Sequence, residues 1–213
     1  MKKILVIAPH ADDEVLGVGG YLLHESQKGN SIYIIYGAIG GEDIRQNSNT
    51  RELEVMSVVQ NLKATYKVLF YGKDAELDTV PSRSIISAID KEVDEYRPDE
   101  VFINCTSHHQ DHKKLYECAM ASMRQREGYV PKMVALYEYP CLEPGEIIDG
   151  GRWYHDIGDV IDAKCDLMEK YESQIRKAPS PINEEGIRSL AAIRGRECGA
   201  DYAELFYIQK MKS

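Results

Sequence analysis

Ile4-Leu5-Val6-Ile7-Ala8 is a run of five apolar residues at the start of the chain. Such a run fits a strand covered on both faces, as in a parallel sheet. Pro9 follows, and without an N–H to give it ends the ladder. Immediately beyond stand His10, Asp12, Asp13 and Glu14. The chain therefore opens like an α/β protein whose first strand delivers an imidazole and carboxylates at its carboxyl end. That end is where open α/β sheets bind their ligands. His10 and Asp13 are ordinary ligands for zinc or a similar divalent ion, which leaves Asp12 as a base.

A second cluster has the same construction. Val101-Phe102-Ile103 is introduced by the breaker Pro98-Asp99 and followed by Asn104-Cys105-Thr106-Ser107-His108-His109-Gln110-Asp111-His112. Four of the six histidines (10, 108, 109 and 112) thus follow one of two predicted strands.

Apolar runs and helical patterns alternate along the chain. Strands are predicted at 3–8, 31–36, 67–71, 100–104 and 132–138, and helices at 14–27, 50–62, 82–96 and 112–126. Two more helices, near 158–174 and 183–198, precede a last apolar run, Tyr202–Ile208. This alternation implies βαβ units, a mostly parallel sheet and helices on both faces. Arg97-Pro98-Asp99 ends the third helix, because the residue before proline disfavours the helical region. Loops at 38–49, 73–81 and 140–153 are long and polar, as around a pocket. With no repeat and no linker, residues 1–213 are expected to form a single domain. In the doubly wound order 3-2-1-4, strands 1 and 4 are neighbours, so the two His/Asp loops face each other across a crevice.

Gly17-Val18-Gly19-Gly20 is not expected to bind a dinucleotide. The tight turn after the first strand is occupied by His-Ala-Asp-Asp, and carboxylates at a helix start repel a pyrophosphate. The glycines are expected to let the first helix pack closely on the sheet. With 26 basic and 35 acidic residues the net charge is −9, which argues against nucleic acid as a partner. No apolar run approaches the ~20 residues of a membrane span, and the N-terminal run is too short for a signal peptide. Five cysteines (105, 118, 141, 165, 198), scattered and without a C-x-x-C pair, read as reduced thiols of a cytoplasmic protein. Cys105, near the clusters, is expected to pack rather than react. A homo-oligomer is possible, as for many soluble enzymes.

His10, Asp13 and His112 form the expected metal set. Two imidazoles and one carboxylate leave zinc an open position for a water, whose pKa then falls to about 7. Asp12 is assigned general base and then acid to a departing amine. His109, three residues before His112, is expected to donate as an imidazolium to an oxyanion. Asp111 either orients His109 and holds it charged or caps a helix beginning at His112. His108 lines the entrance.

Pro9-His10-Ala11-Asp12-Asp13-Glu14 together with His109-Gln110-Asp111-His112 resembles the paired motifs of the PIG-L/LmbE-like zinc N-deacetylases. Weaker agreement lies at Gly41-Glu42, Arg51 with Glu54, Tyr171-Glu172-Ser173-Gln174 and Tyr202-Ala203-Glu204-Leu205-Phe206. The resemblance implies a Rossmann-like fold, one zinc per chain (iron or cobalt being possible) and hydrolysis of an acetamide on an amino sugar. It also implies that Arg51 contacts the substrate. Gln110 stands where relatives usually have proline, and Ser107 and His108 where some have tyrosine or arginine. A 2-acetamido sugar conjugate is the expected substrate, with Tyr137, Tyr139, Trp153 and Tyr154 available to stack on it. The alternatives are deacylation of another small amide, hydrolysis of a phosphate ester, or a non-catalytic metal- or sugar-binding relative.

Overall fold

The computed structural model describes residues 1–41, 47–125, 129–140 and 150–212. Glu42, Arg126, Cys141 and the middles of the 38–49 and 140–153 loops lie outside them. The elements run β1 (Lys3–Ala8), α1 (Asp13–Gln27), β2 (Ser31–Ile39), α2 (Ser48–Asn61), β3 (Thr65–Tyr71), α3 (Ser82–Tyr96), β4 (Glu100–Asn104), α4 (Gln110–Ser122), β5 (Met133–Tyr137), β6 (Gly151–Asp156), α5 (Ile161–Glu169), α6 (Glu184–Cys198) and β7 (Ala203–Met211), with a short 3₁₀ turn at Leu77–Thr79.

The strands form one seven-stranded sheet in the order β3-β2-β1-β4-β5-β7-β6. β1 pairs in parallel with β2 (Ile4 opposite Ile32) and with β4 (Ile4 opposite Glu100), so strands 1 and 4 are neighbours, as the expected order requires. β7 runs antiparallel between β5 and β6. Alternation along β1 divides the core. Ile4, Val6 and Ala8 pack with Val15, Val55, Ile161 and Ile187 on the face covered by α1, α2, α5 and α6. Leu5 and Ile7 pack with Ile85, Ile89, Leu115 and Ala119 on the face covered by α3 and α4. Helices therefore lie on both faces of a mostly parallel sheet. No helix among the described residues is long and apolar enough to cross a membrane.

α1 is buried along most of its length, and its glycines allow this. A Cβ on Gly17 would lie 2.1 Å from Tyr137 Cδ2, and one on Gly20 would lie 2.5 Å from Ile157 Cγ2. The third helix ends as the sequence implies, with Arg97 left-handed (φ 54°) before Pro98.

The structure corrects the sequence reading in four places. β3 begins at Thr65 rather than 67. α4 begins at Gln110, with His109 rather than Asp111 as its N-cap. The predicted helix 158–174 is confined to Ile161–Glu169. Beyond it the chain is held by tertiary partners: Tyr171 is fully buried and the Ser173 N–H donates to Glu54 Oε1 (2.8 Å). Residues 151–153, expected in a loop, open strand β6, which pairs with β7 from Gly151 opposite Ile208 to Asp156 opposite Ala203.

Candidate metal centre and active site

The loops leaving β1 and β4 meet at the carboxyl edge of the sheet. Asp13 opens α1, and its Oδ2 accepts the His10 N–H (3.0 Å), closing the turn after Pro9. The same oxygen lies 3.6 Å from His10 Nδ1 and 3.4 Å from His112 Nε2. All three residues are buried, and their donor atoms lie within 4.8 Å of one another. Burial, against the pull of Asp13, lowers the His112 imidazole to about 4, which keeps it in the neutral, ligating form. Its Nδ1 is buried with no hydrogen-bond partner among the described residues. Two imidazole nitrogens and a carboxylate fit a divalent ion of the zinc class. Asp74 and Asp111 flank the set, each with a carboxylate oxygen facing His10 Nε2. Burial opposes protonation of His10, but its bonds to Asp111 and Asp13 and the charge of Asp74 raise its pKa well above the ordinary value. The surroundings thus favour a cation.

Asp111 does not orient His109, contrary to the sequence reading. Its Oδ2 meets His10 Nε2 at 2.8 Å, and its carboxylate also accepts the N–H groups of Ala75 (2.7 Å) and Leu77 (2.9 Å). The Asp111 backbone N–H, not its carboxylate, donates to His109 Nδ1 (3.3 Å). An accepting Nδ1 leaves the proton of a neutral ring on Nε2. Burial and the neighbouring His10 lower the His109 pKa. Both features favour a neutral ring with its N–H at Nε2 over the expected imidazolium. Its ring centroid lies 5.3 Å from that of His10 and 5.0 Å from that of His112.

Asp12 has φ 134°, a conformation that costs a non-glycine residue about 1–3 kcal/mol and persists only where neighbours impose it. Burial, and then the charge of Asp13, raise its carboxyl well above the usual range.

These groups line one cavity of about 620 Å³. His10, Asp12, Asp13 and Leu16 come from the β1 exit and α1; Ser107, His108, His109 and His112 come from the β4 exit and α4. Tyr139 completes the wall, its ring 4.8 Å from that of His112. Sequence reasoning missed Asp74 and the rim residues Arg176 and Ile182, and gave Gln174 no role beyond its place in the Tyr171–Gln174 resemblance. Asp74 Oδ1 is 3.5 Å from His10 Nε2. Its only sequence signal is a carboxylate in the loop leaving β3, at the same edge of the sheet.

Four expected contacts lie elsewhere. Arg51 is 1% exposed and sits behind the cavity wall. It donates to the Ala11 carbonyl, to Glu54 and to Ser173. Tyr137 is buried and donates to the Ile7 carbonyl (3.3 Å). Trp153 packs on Tyr21 and Phe206. Tyr154 donates to Glu197 (2.8 Å). Of the four aromatics, only Tyr139 lines the cavity.

A sequence model of the GlcNAc-PI de-N-acetylase family (PIG-L) matches residues 5–123, more than half of the chain. No curated protein matches the chain. Among solved structures, the conserved protein TT1542 of Thermus thermophilus is similar over 100% of this chain and 97% of its own, at 24% identity and a TM-score of 0.82. N,N'-diacetylchitobiose deacetylase of Pyrococcus horikoshii is similar over 98% of this chain and 84% of its own, at 24% identity and a TM-score of 0.78. GalB, the 4-carboxy-2-hydroxymuconate hydratase of Pseudomonas putida, is similar over 100% and 98%, at 18% identity and a TM-score of 0.75. These likenesses establish the shared fold.

Proposed function

Because the chain belongs to the GlcNAc-PI de-N-acetylase (PIG-L) family, we propose that it is a zinc-dependent deacetylase that hydrolyses the acetamide of a 2-acetamido sugar conjugate. One observation carries the reading: a three-donor set fit for zinc shares a cavity with a buried carboxylate of raised pKa and a neutral N–H donor. The name of the Pyrococcus relative, a deacetylase of a disaccharide, supports a sugar acetamide. The Pseudomonas hydratase has the same fold, so fold alone does not choose the reaction; the family match favours deacetylation.

In this reading His10, Asp13 and His112 would hold the zinc, which would supply Lewis acidity and lower the pKa of the attacking water toward about 7. Asp12, which lines the same cavity as the three donors, accepts the proton of the attacking water. It then returns the proton to the departing amine nitrogen. His109 donates its Nε2–H to the oxygen that gains charge as the carbonyl is attacked. Asp111 holds His10 from behind, as carboxylates commonly hold ligating histidines. Tyr139 offers a ring for a sugar face, with Gln174 and Arg176 at the rim. The cavity volume suits a sugar carrying a modest aglycone rather than a long polymer.

Mass spectrometry on N-acetylated sugars incubated with the zinc-loaded protein tests this. The expected product has lost one acetyl group in exchange for hydrogen. Asp12→Asn is expected to keep fold and metal while kcat falls about 10²–10⁴-fold. Faster cleavage of acetyl-lysine peptides than of every sugar in the panel would refute the sugar assignment. Near-wild-type activity of Asp12→Asn would refute the base.

A further inference from the structure

We propose that Glu14 is a positioning residue for Asp12. Its carboxylate, pinned by the hydroxyls of Tyr36 and Tyr171, fixes the peptide plane that aims Asp12 into the cavity. The inference rests on the reading of Asp12 as the base. It starts from a conformation: Asp12 is a non-glycine residue at φ 134° in the turn that delivers the metal ligands. The plane that sets this φ is the Ala11–Asp12 peptide, and both of its polar ends are held. The Asp12 N–H donates to Glu14 Oε2 (3.1 Å). The Ala11 carbonyl accepts from Arg51 Nη2.

Each clamp is itself fixed. Glu14 is 0% exposed, and its Oε1 accepts from the Tyr36 hydroxyl (3.0 Å) and the Tyr171 hydroxyl (2.5 Å). Arg51 is held by Glu54 and by Ser173 Oγ, both at 3.3 Å, and lies over the Tyr171 ring at 5.6 Å. Glu54 in turn accepts from the N–H and the hydroxyl of Ser173, both at 2.8 Å. Tyr171 and Ser173 therefore fasten both clamps, two residues of the Tyr-Glu-Ser-Gln run that do not line the cavity themselves. A space-filling role would be met by an apolar side chain. A buried carboxylate is tolerated only where its partners need it, and here one partner is the backbone of the base. A carboxylate held in this way keeps Asp12 near its productive geometry, where a displacement of about 1 Å can cost 10²-fold in rate.

The test compares Glu14→Asp, Glu14→Gln and Tyr171→Phe with Asp12→Asn, each zinc-loaded and assayed on one N-acetylated sugar. Glu14→Asp is a methylene too short to reach the Asp12 N–H. It is expected to lose kcat by about 10²-fold while KM and bound zinc stay within about two-fold of wild type. Glu14→Gln still offers an acceptor oxygen, and the tyrosine hydroxyls can turn to accept from its amide. It is expected to recover most of that loss. A crystal structure of metal-free Glu14→Asp is expected to show Asp12 relaxed to negative φ. If Glu14→Asp does not fold, Tyr171→Phe keeps the ring and removes one pin, with an expected kcat loss of about 10-fold at unchanged KM. Unchanged kcat per zinc-loaded chain in the folded variants, or a loss that only follows metal content, overturns the proposal. Retained activity in Asp12→Asn would instead overturn the base assignment, and the Asp12 backbone in the Glu14→Asp structure would still decide the positioning claim.

Discussion

Asp111 serves three groups with one carboxylate: the imidazole of His10 and the N–H groups of Ala75 and Leu77. It thereby ties the β1 exit to the loop after β3, the loop that brings Asp74 into the cavity. Asp111→Asn would turn one acceptor into a donor facing groups that need acceptors, and would leave a buried N–H unpaired. Metal affinity is expected to fall about 10–100-fold, as for other carboxylates behind ligating histidines. Titration with zinc against a competing chelator measures this, and unchanged affinity would remove Asp111 from the support of the site. His10, Asp12, Asp13 and His112 stood out in the sequence because they fall in two short runs dense in His and Asp, each following a predicted strand, so strand and chemistry are read together. Asp74 follows β3 with no histidine near it in sequence, and residues 174, 176 and 182 follow no strand, so nothing local marks them and long-range contacts bring them in. The role of Asp111 was misread for a similar reason: its nearest histidines in sequence are 109 and 112, but its partner in space is His10.

At the scale of elements, α1 both carries Asp13 and lies pressed on the sheet. Its approach depends on Gly17, where a Cβ would meet Tyr137 Cδ2 at 2.1 Å and the Glu138 carbonyl oxygen at 2.9 Å. Backbone cannot turn aside as a side-chain end can. Gly17→Ala is therefore expected to destabilise the protein by about 1–3 kcal/mol and to lower zinc affinity by displacing the helix start. Gly19 is the internal comparison. A Cβ there meets only side chains, Lys164 Cγ at 3.3 Å and Val15 Cγ1 at 3.4 Å, which need give by no more than a few tenths of an ångström, while alanine gains up to about 1 kcal/mol of helix propensity, so Gly19→Ala is expected to be near neutral. Urea unfolding of both variants decides, and equal midpoints would show that helix and sheet have room to part. The alternation of buried strands and helices up to β5 was legible because each element there follows its own period. From residue 140 onward that signal weakens. β6 is half-exposed and stands as a strand through its pairing with β7. The chain after α5 turns where Tyr171 and Ser173 find buried partners. Local periodicity carries no trace of either cause.

Across the whole molecule the two ends of the sheet have different work. The carboxyl ends of β1 and β4 carry the cavity, while the amino ends are fastened by Asp99. Its Oδ2 accepts the Lys3 N–H (2.9 Å), its N–H donates to the Lys3 carbonyl (2.8 Å), and its carbonyl accepts from the N–H groups of Lys132 (2.7 Å) and Met133 (3.1 Å). One residue thus joins the starts of β1, β4 and β5. The Lys3 amide, and then the Lys132 ammonium at 3.0 Å, lower the Asp99 carboxyl below its usual range. A carboxyl depressed in the folded state binds its proton less readily there than in the unfolded chain. Its contribution to stability is therefore complete above the unfolded pKa, near pH 4, and is lost as pH falls through the depressed value. Asp99→Asn lacks this titration. It is expected to be less stable than wild type at neutral pH, with the difference shrinking toward zero on acidification below about pH 4. Its kcat at neutral pH is expected to match wild type, because β4 separates Asp99 from the cavity. Urea midpoints for both proteins across the acid range measure the difference. A gap that stayed constant with pH would mean that Asp99 acts through its shape and not its charge.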